Sequence, residues 1–244
     1  MSQDLSENFG CQSTTGDRGP REPWRPRRLR RLLAGIVIVG LVPVFWLFVQ
    51  PRLSGNLGVV DGGRVIRSAQ PRGWLPALIQ EHRLASILNL RGGAPSDWWY
   101  VAEVRAARDQ GVAFFDLPLS AQRRPTRREL LILIDTLQRC PYPLLIHCKA
   151  GADRTGLATA VYLMTQRGEP PEMAKRAFSI WYGHLPLLGA QRLHEPVDEY
   201  AAWLRAEGQT HSPSRFRDWV KFRYRSTDPC VDPPRLAAGP RHPL

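Results

Sequence analysis

The sequence predicts an α/β domain, with a central, mainly parallel sheet flanked by helices, carried behind one N-terminal transmembrane helix. Three observations predict this. Short apolar runs alternate with helix-length stretches, the pattern of strands buried between helices on both faces of a sheet. One of those runs ends in a polar, glycine-containing turn, His147 to Gly156, just before a helix begins. Ahead of all of them, Leu32 to Val49 is eighteen residues without a charge.

Residues 1–31 form a basic arm, with seven Arg against four acids. Residues 32–49 would run about 27 Å as a helix, close to the thickness of a bilayer core. Pro43 is tolerated in such a helix, and Trp46 and Phe48 suit the membrane interface. A cleavable signal peptide has a shorter apolar region, a shorter leader and a small-residue cleavage site, none of which is found here. Arg18, Arg21, Arg25, Arg27, Arg28, Arg30 and Arg31 precede the span and only Arg52 follows closely. The positive-inside bias therefore predicts a cytosolic N-terminus and a periplasmic or otherwise extracytoplasmic catalytic domain.

A linker at 50–57 leads to a catalytic domain at 58–206. Within it, strands are expected at 85–90, 112–117 and 144–147. Helices are expected at 74–82, 97–110, 126–139, 155–166, 171–181 and 190–206. The remainder, 207–244, reads as a basic, proline-rich and loosely ordered tail, although 215–225 suits a solvated terminal helix. The net charge is +12, but residues 205–244 contribute eight basic groups against four acids, so the middle of the chain is only mildly basic. Only Arg215 to Arg225 interleaves arginines with aromatics, so no nucleic-acid partner is expected. No internal repeat, glycine-rich nucleotide loop or His/Cys cluster with metal spacing is present, and no metal or cofactor is expected.

The function is carried by His147-Cys148-Lys149-Ala150-Gly151-Ala152-Asp153-Arg154-Thr155-Gly156. The apolar run 143–146 places Cys148 where a strand ends and a helix begins. Backbone N–H groups of residues 149–154 in such a loop converge on a tetrahedral oxyanion, and the helix N-terminus adds partial positive charge. The same field favours the thiolate, the form that attacks phosphorus. Arg154, six residues on, has a planar fork able to hold two phosphate oxygens.

This spacing, with His before the Cys and Thr-Gly after the Arg, resembles the signature of the cysteine-dependent protein tyrosine and dual-specificity phosphatases. The resemblance implies a phosphocysteine on Cys148, phosphoryl binding by Arg154, and a hydrogen bond from Thr155 that eases thiolate departure. It also implies that His147 orients the loop through its ring nitrogens. Family members usually carry the proton-donating Asp on an upstream loop, where this sequence offers only Asp116, with Ser120 and Gln122 in the expected places. Asp153, directly before Arg154, also resembles the catalytic Asp of myotubularin-type inositide phosphatases. Like-charge repulsion from a bound phosphate favours its acid form, so Asp153 ranks slightly ahead of Asp116.

Residues 61–71, residues 87–92 and Tyr182-Gly183-His184 resemble segments of a bacterial dual-specificity-like branch. They offer Arg67, Arg91 and His184 as further pocket candidates. The substrate is expected to be a phosphorylated protein, with an inositide or phospholipid as the alternative suggested by Lys149 and the anchor. A rhodanese-like sulfur transferase differs in loop length and lacks the Thr-Gly, and the contrasting non-enzyme reading is a phosphate-binding scaffold without turnover. Seven residues, ending in a strand, separate Cys140 from Cys148, so no disulfide is expected between them. Cys11 would lie across the membrane, which leaves Cys230 as the possible partner for Cys148 in an oxidising compartment.

Overall fold

The computed structural model describes residues 55–186 and 189–226, together with residues 31, 35, 37, 39–42 and 45. The chain divides into two compact units, Met1–Val42 and Pro43–Leu244. In the first unit the described residues are helical, and Val37, Val39, Leu41 and Val42 are exposed. Among the described residues no helix is long and apolar enough to cross a membrane. The expected span at 32–49 lies largely outside them, as do most of the arm and residues 227–244.

The second unit is built on a five-stranded sheet of order β1-β2-β5-β3-β4. Its strands are β1 (Gly58–Val60), β2 (Val65–Ser68), β3 (Ser86–Asn89), β4 (Ala113–Asp116) and β5 (Leu144–His147). The inner pairings are all parallel, and β1 alone runs antiparallel, against β2 at the edge. The sheet is therefore mixed. The parallel strands are joined through α1 (Leu75–His82), α2 (Trp98–Asp109) and α3 (Arg127–Arg139). Beyond β5 come α4 (Asp153–Gln166), α5 (Pro171–Ala174), α6 (Glu195–Ala206) and α7 (Pro213–Phe222).

Alternate side chains of each strand face opposite sides, so the sheet separates two cores. Val65, Leu88, Leu144 and Ile146 pack with Leu130, Leu133, Leu137, Leu157 and Val161 of α3 and α4. Ile66, Ile87 and Leu145 pack with Leu75, Leu78, Ile79 and Ala107 of α1 and α2. Helix α3 has a clear local cause. Glu129 N–H donates to Thr126 Oγ1 at 3.0 Å and Thr126 N–H donates to Glu129 Oε2 at 2.6 Å, a reciprocal cap. Behind it Leu130, Leu133, Ile134 and Leu137 recur at helical spacing and are buried.

Three expectations change. The helix expected at 171–181 ends at Ala174 and continues as 3-10 turns, because the Ala177 carbonyl accepts from Arg67 Nη1 at 2.7 Å, outside the helical ladder. The helix expected at 190–206 begins as a 3-10 turn, Ala190–Leu193, and becomes α-helical only at Glu195. Pro196 has no N–H to give an earlier carbonyl, so it fits only in a first turn. The domain also extends beyond 58–206 at both ends. Asn56 is buried against it, and α7 buries Phe216, Trp219 and Val220, followed by Tyr224, on the core shared by α3 and α4. Each such side chain contributes roughly 1.5–3 kcal/mol, more than a loosely ordered tail would gain.

Candidate active site

Strand register sets the place of the site. Ser68, His147, Asn89 and Asp116 are aligned partners across β2, β5, β3 and β4, so they form one row at the C-terminal edge of the sheet. Cys148 follows this row on the central strand, at the mouth where parallel sheets bind ligands. The loop then turns through Gly151 at φ 73° and enters α4 at Asp153.

The carbonyls of that loop are committed one after another to the protein behind it. Lys149 O accepts from Gln70 N at 3.4 Å and Ala150 O from Asn56 Nδ2 at 2.9 Å. Gly151 O and Ala152 O both accept from Arg67 Nη2, at 2.9 and 3.5 Å. Carbonyls so held leave the N–H groups of the loop for an anion on the other side. One of them is already used, since Gly151 N donates to Cys148 Sγ at 3.2 Å. That bond fixes the sulfur inside the turn, and Cys148 is 2% exposed. The backbone cannot be moved to make room at Gly151, because a Cβ there would stand 2.6 Å from Ala69 N and 2.7 Å from Ser68 C.

Arg67 is therefore not a substrate arginine. It is 1% exposed, its guanidinium lies 3.7 Å from the Tyr182 ring centroid, and its work is to hold the loop carbonyls and that of Ala177. Burial lowers its pKa to about 10, against the opposing pull of Tyr182 and Cys148, so it stays charged at neutral pH. Arg154 is the arginine at the mouth. Its Nη1 donates to Leu119 O at 3.2 Å and Leu90 O at 3.4 Å, which fixes the fork beside the loop. Arg91 is next to it in the structure, stacked 3.5 Å above the Trp99 ring and donating to Gln70 Oε1 at 3.4 Å. Desolvation lowers its pKa, Asp97 opposes this, and neighbouring Arg154 lowers it further.

His147 departs from its expected role. Its Nε2 lies 2.6 Å from Glu103 Oε1 on α2, both groups buried, and among the described residues neither ring nitrogen bonds to the loop. Glu103 also receives a very short hydrogen bond from Gln70 Nε2. His147 thus ties the strand end to α2, and the loop is oriented by Asn56, Arg67 and Gln70. Thr155 is fully buried, and its Oγ1 has no hydrogen-bond partner among the described residues. Cys140 and Cys148 are both free and buried.

The two candidate acids occupy different settings. Asp116 lies two strands from β5, about 10 Å from the row position of His147 at ~4.8 Å per strand. Its Oδ1 accepts from Asn89 Nδ2 at 2.8 Å and its Oδ2 from the Tyr100 hydroxyl, which raises the Tyr100 pKa to about 12. Asp153 stands beside Arg154 at the start of α4, with Oδ1 2.7 Å from Nδ1 of the buried His184. The structure brings Asp153 to the loop and leaves Asp116 engaged with α2 and β3. Among the described residues no group of three or more metal-ligating side chains is present.

Sequence reasoning missed Asn56, Gln70 and Glu103. Glu103 had a signal, since it lies four residues from Ala107 on the buried side of α2, where an acid needs a partner. Gly55-Asn56, both at positive φ, was readable as a turn but not as a clamp.

Residues 74–205 match the family described as "Swiss Army Knife protein, DSP-PTPase phosphatase domain". A comparison with curated proteins finds no match. Among solved structures, TpbA of P. aeruginosa is similar at 23% identity, over 62% of this chain and 92% of that one, with a TM-score of 0.49. The core catalytic domain of the PP-IP phosphatase SIW14 from S. cerevisiae is similar at 22% identity, over 63% and 93%, with a TM-score of 0.46. PTPMT1 in complex with PI(5)P is similar at 20% identity, over 62% and 98%, with a TM-score of 0.44. The family match spans more than half of the sequence and contains the whole Cys148 to Arg154 loop, and the chain belongs to this DSP-PTPase family of cysteine-based phosphatases.

Proposed function

We propose that the chain is a membrane-anchored phosphatase that hydrolyses phosphotyrosine or phosphoserine/threonine in proteins through a phosphocysteine on Cys148. The observation that carries this is the loop itself, with four consecutive carbonyls held behind it and Gly151 N on the Cys148 sulfur. In the first step the thiolate attacks phosphorus while Arg154 and the amides of residues 149–154 take up the equatorial oxygens. Asp153 gives its proton to the leaving oxygen. In the second step water attacks the phosphocysteine, Asp153 accepts the water proton, and the buried Thr155 hydroxyl supports the departing thiolate.

The anchor reading rests on the uncharged stretch 32–49 and on the exposed apolar side chains of its described helical residues. Arginine asymmetry puts the N-terminus in the cytosol and the phosphatase domain outside it. A second reading, an inositide or phospholipid substrate, is favoured by Lys149, which is exposed within the phosphate loop.

Phosphate release by the full chain in detergent, on an aryl phosphate, a phosphotyrosine peptide and phosphoinositides, tests the reaction and its substrate, and partition of the full chain into the membrane fraction, lost on removal of residues 1–49, tests the anchor. Turnover that disappears in Cys148→Ser supports the mechanism, and the better natural substrate decides between protein and lipid. Binding of phosphate without any turnover under reducing conditions would instead make the protein a scaffold.

A further inference from the structure

His184 follows Gly183, whose φ of 74° ends the 3-10 turn Ile180–Tyr182. Its N–H donates to Ser179 O at 3.2 Å, and its ring is 3% exposed. Phe178 lies against the ring with centroids 5.0 Å apart, and His194 meets it edge-on at 5.5 Å. Phe178 in turn touches Gly156, where a Cβ would be 2.9 Å from its ring. The imidazole is thus wedged against the first turn of α4, with Nδ1 2.7 Å from Asp153 Oδ1. Its Nε2 is buried with no hydrogen-bond partner among the described residues.

That orphan nitrogen decides the tautomer. A proton on Nε2 would be a buried donor without an acceptor, which is unfavourable. The orphaned Nε2 and the 2.7 Å contact of Nδ1 therefore put the proton on Nδ1, donated to Asp153, an assignment from surroundings. With Oδ1 so occupied, any proton on the Asp153 carboxyl belongs on Oδ2.

We infer that His184 is a positioning residue for proton transfer, holding Asp153 through Oδ1 so that Oδ2 delivers the proton to the leaving oxygen. The inference rests on the reading of Asp153 as the proton donor. When the sulfur–phosphorus bond forms and the ester bond breaks, the Oδ2 proton moves to the leaving oxygen, and the new carboxylate keeps its bond from Nδ1–H. When water then forms its bond to phosphorus and the thiolate leaves, Oδ2 recovers a proton from that water.

The charged groups around the ring do not supply this role. His194 faces it edge-on but has its own partner, with Nδ1 2.7 Å from Asp198 Oδ2, and Lys175 Nζ lies 2.5 Å from Asp198 Oδ1. Arg67, the nearby cation on β2, is spent on carbonyls and on the Tyr182 ring. Asp153 is the acid that His184 touches.

The experiment uses the full chain with two substrates, p-nitrophenyl phosphate, whose leaving group needs little protonation, and phenyl phosphate, which needs it. His184→Leu is expected to lower kcat on phenyl phosphate about tenfold to a hundredfold more than on p-nitrophenyl phosphate, with KM little changed. The pH profile of kcat on phenyl phosphate should change as well, because the carboxyl that moves the proton has lost its hydrogen-bond donor, which a purely structural role would not bring about. His184→Asn, whose amide can donate from the same place, should restore both readouts. An equal loss on both substrates with an unmoved pH profile, or a His184→Asn protein that melts like the parent yet shows no rescue, overturns the inference. If Asp153→Asn leaves phenyl phosphate turnover intact, the reading beneath the inference falls and the inference with it.

Discussion

The phosphate loop and the C-terminal helix α7 hold opposite ends of the same helix, and they hold it by different physics. At the N-terminal end of α4, single atoms matter, because Asn56, Gln70 and Arg67 each capture particular carbonyls of the loop. Toward the other end, Phe216, Trp219 and Val220 of α7 are buried by area, and the polar contacts there are few, such as His211 Nε2 to Met164 O at 3.0 Å. Hydrogen bonds fix direction and apolar burial fixes mainly proximity. The loop should therefore fail in function before it fails in stability, and α7 should do the reverse.

Gly151→Ala should give the largest effect. The new Cβ would stand under 3 Å from the backbone of Ser68 and Ala69, at a φ that side chains rarely adopt. A displacement of about 1 Å at the loop is expected to lower kcat on the order of a hundredfold or more, measured on an aryl phosphate. A smaller loss than that of Asn56→Ala would show that the loop can yield. Trp219→Ala should cost about 3–5 kcal/mol in denaturant unfolding, while kcat below the transition stays near that of the parent. If turnover fell as steeply as stability, the two ends of α4 would be coupled and the comparison would break.

Asn56→Ala removes the donor shared by Ala150 O and Tyr182 O, 2.9 and 2.8 Å away. It should cost about 1 kcal/mol, since two part-buried carbonyls lose a partner, together with a drop in kcat that Trp219→Ala does not show. The smallest effect concerns acid. Burial lowers the His211 pKa below the ordinary value of 6.5, so the fold favours the neutral ring. That stability is fully present above pH 6.5 and is lost as pH falls through the folded-state value. His211→Gln should flatten the loss of stability on the acid side of pH 6.5, read from unfolding midpoints across that range.

The comparison also explains what could be read without coordinates. Strands β3, β4 and β5 and helices α1 to α4 follow from apolar period and caps, and the Cys148 loop follows from its own ten residues. The breaks at Ala174 and before Glu195 did not follow. One depends on Arg67 reaching a carbonyl 110 residues away, and the other on a proline whose effect depends on where the chain had to turn. The same distance in sequence hid Asn56 and placed Arg67 behind the loop instead of in front of it.

Sequence alone determined the spacing of Cys148 and Arg154 and their strand-loop-helix setting, because these are local. Tertiary structure decided which carboxylate joins them. Sequence ranks Asp153 only slightly ahead of Asp116, whereas strand register puts Asp116 two strands away under Tyr100 and Asn89, and the turn after α5 brings His184 onto Asp153. Pairing between groups far apart in the chain depends on packing that no local pattern encodes, and that packing also turned the loop carbonyls away from the anion site.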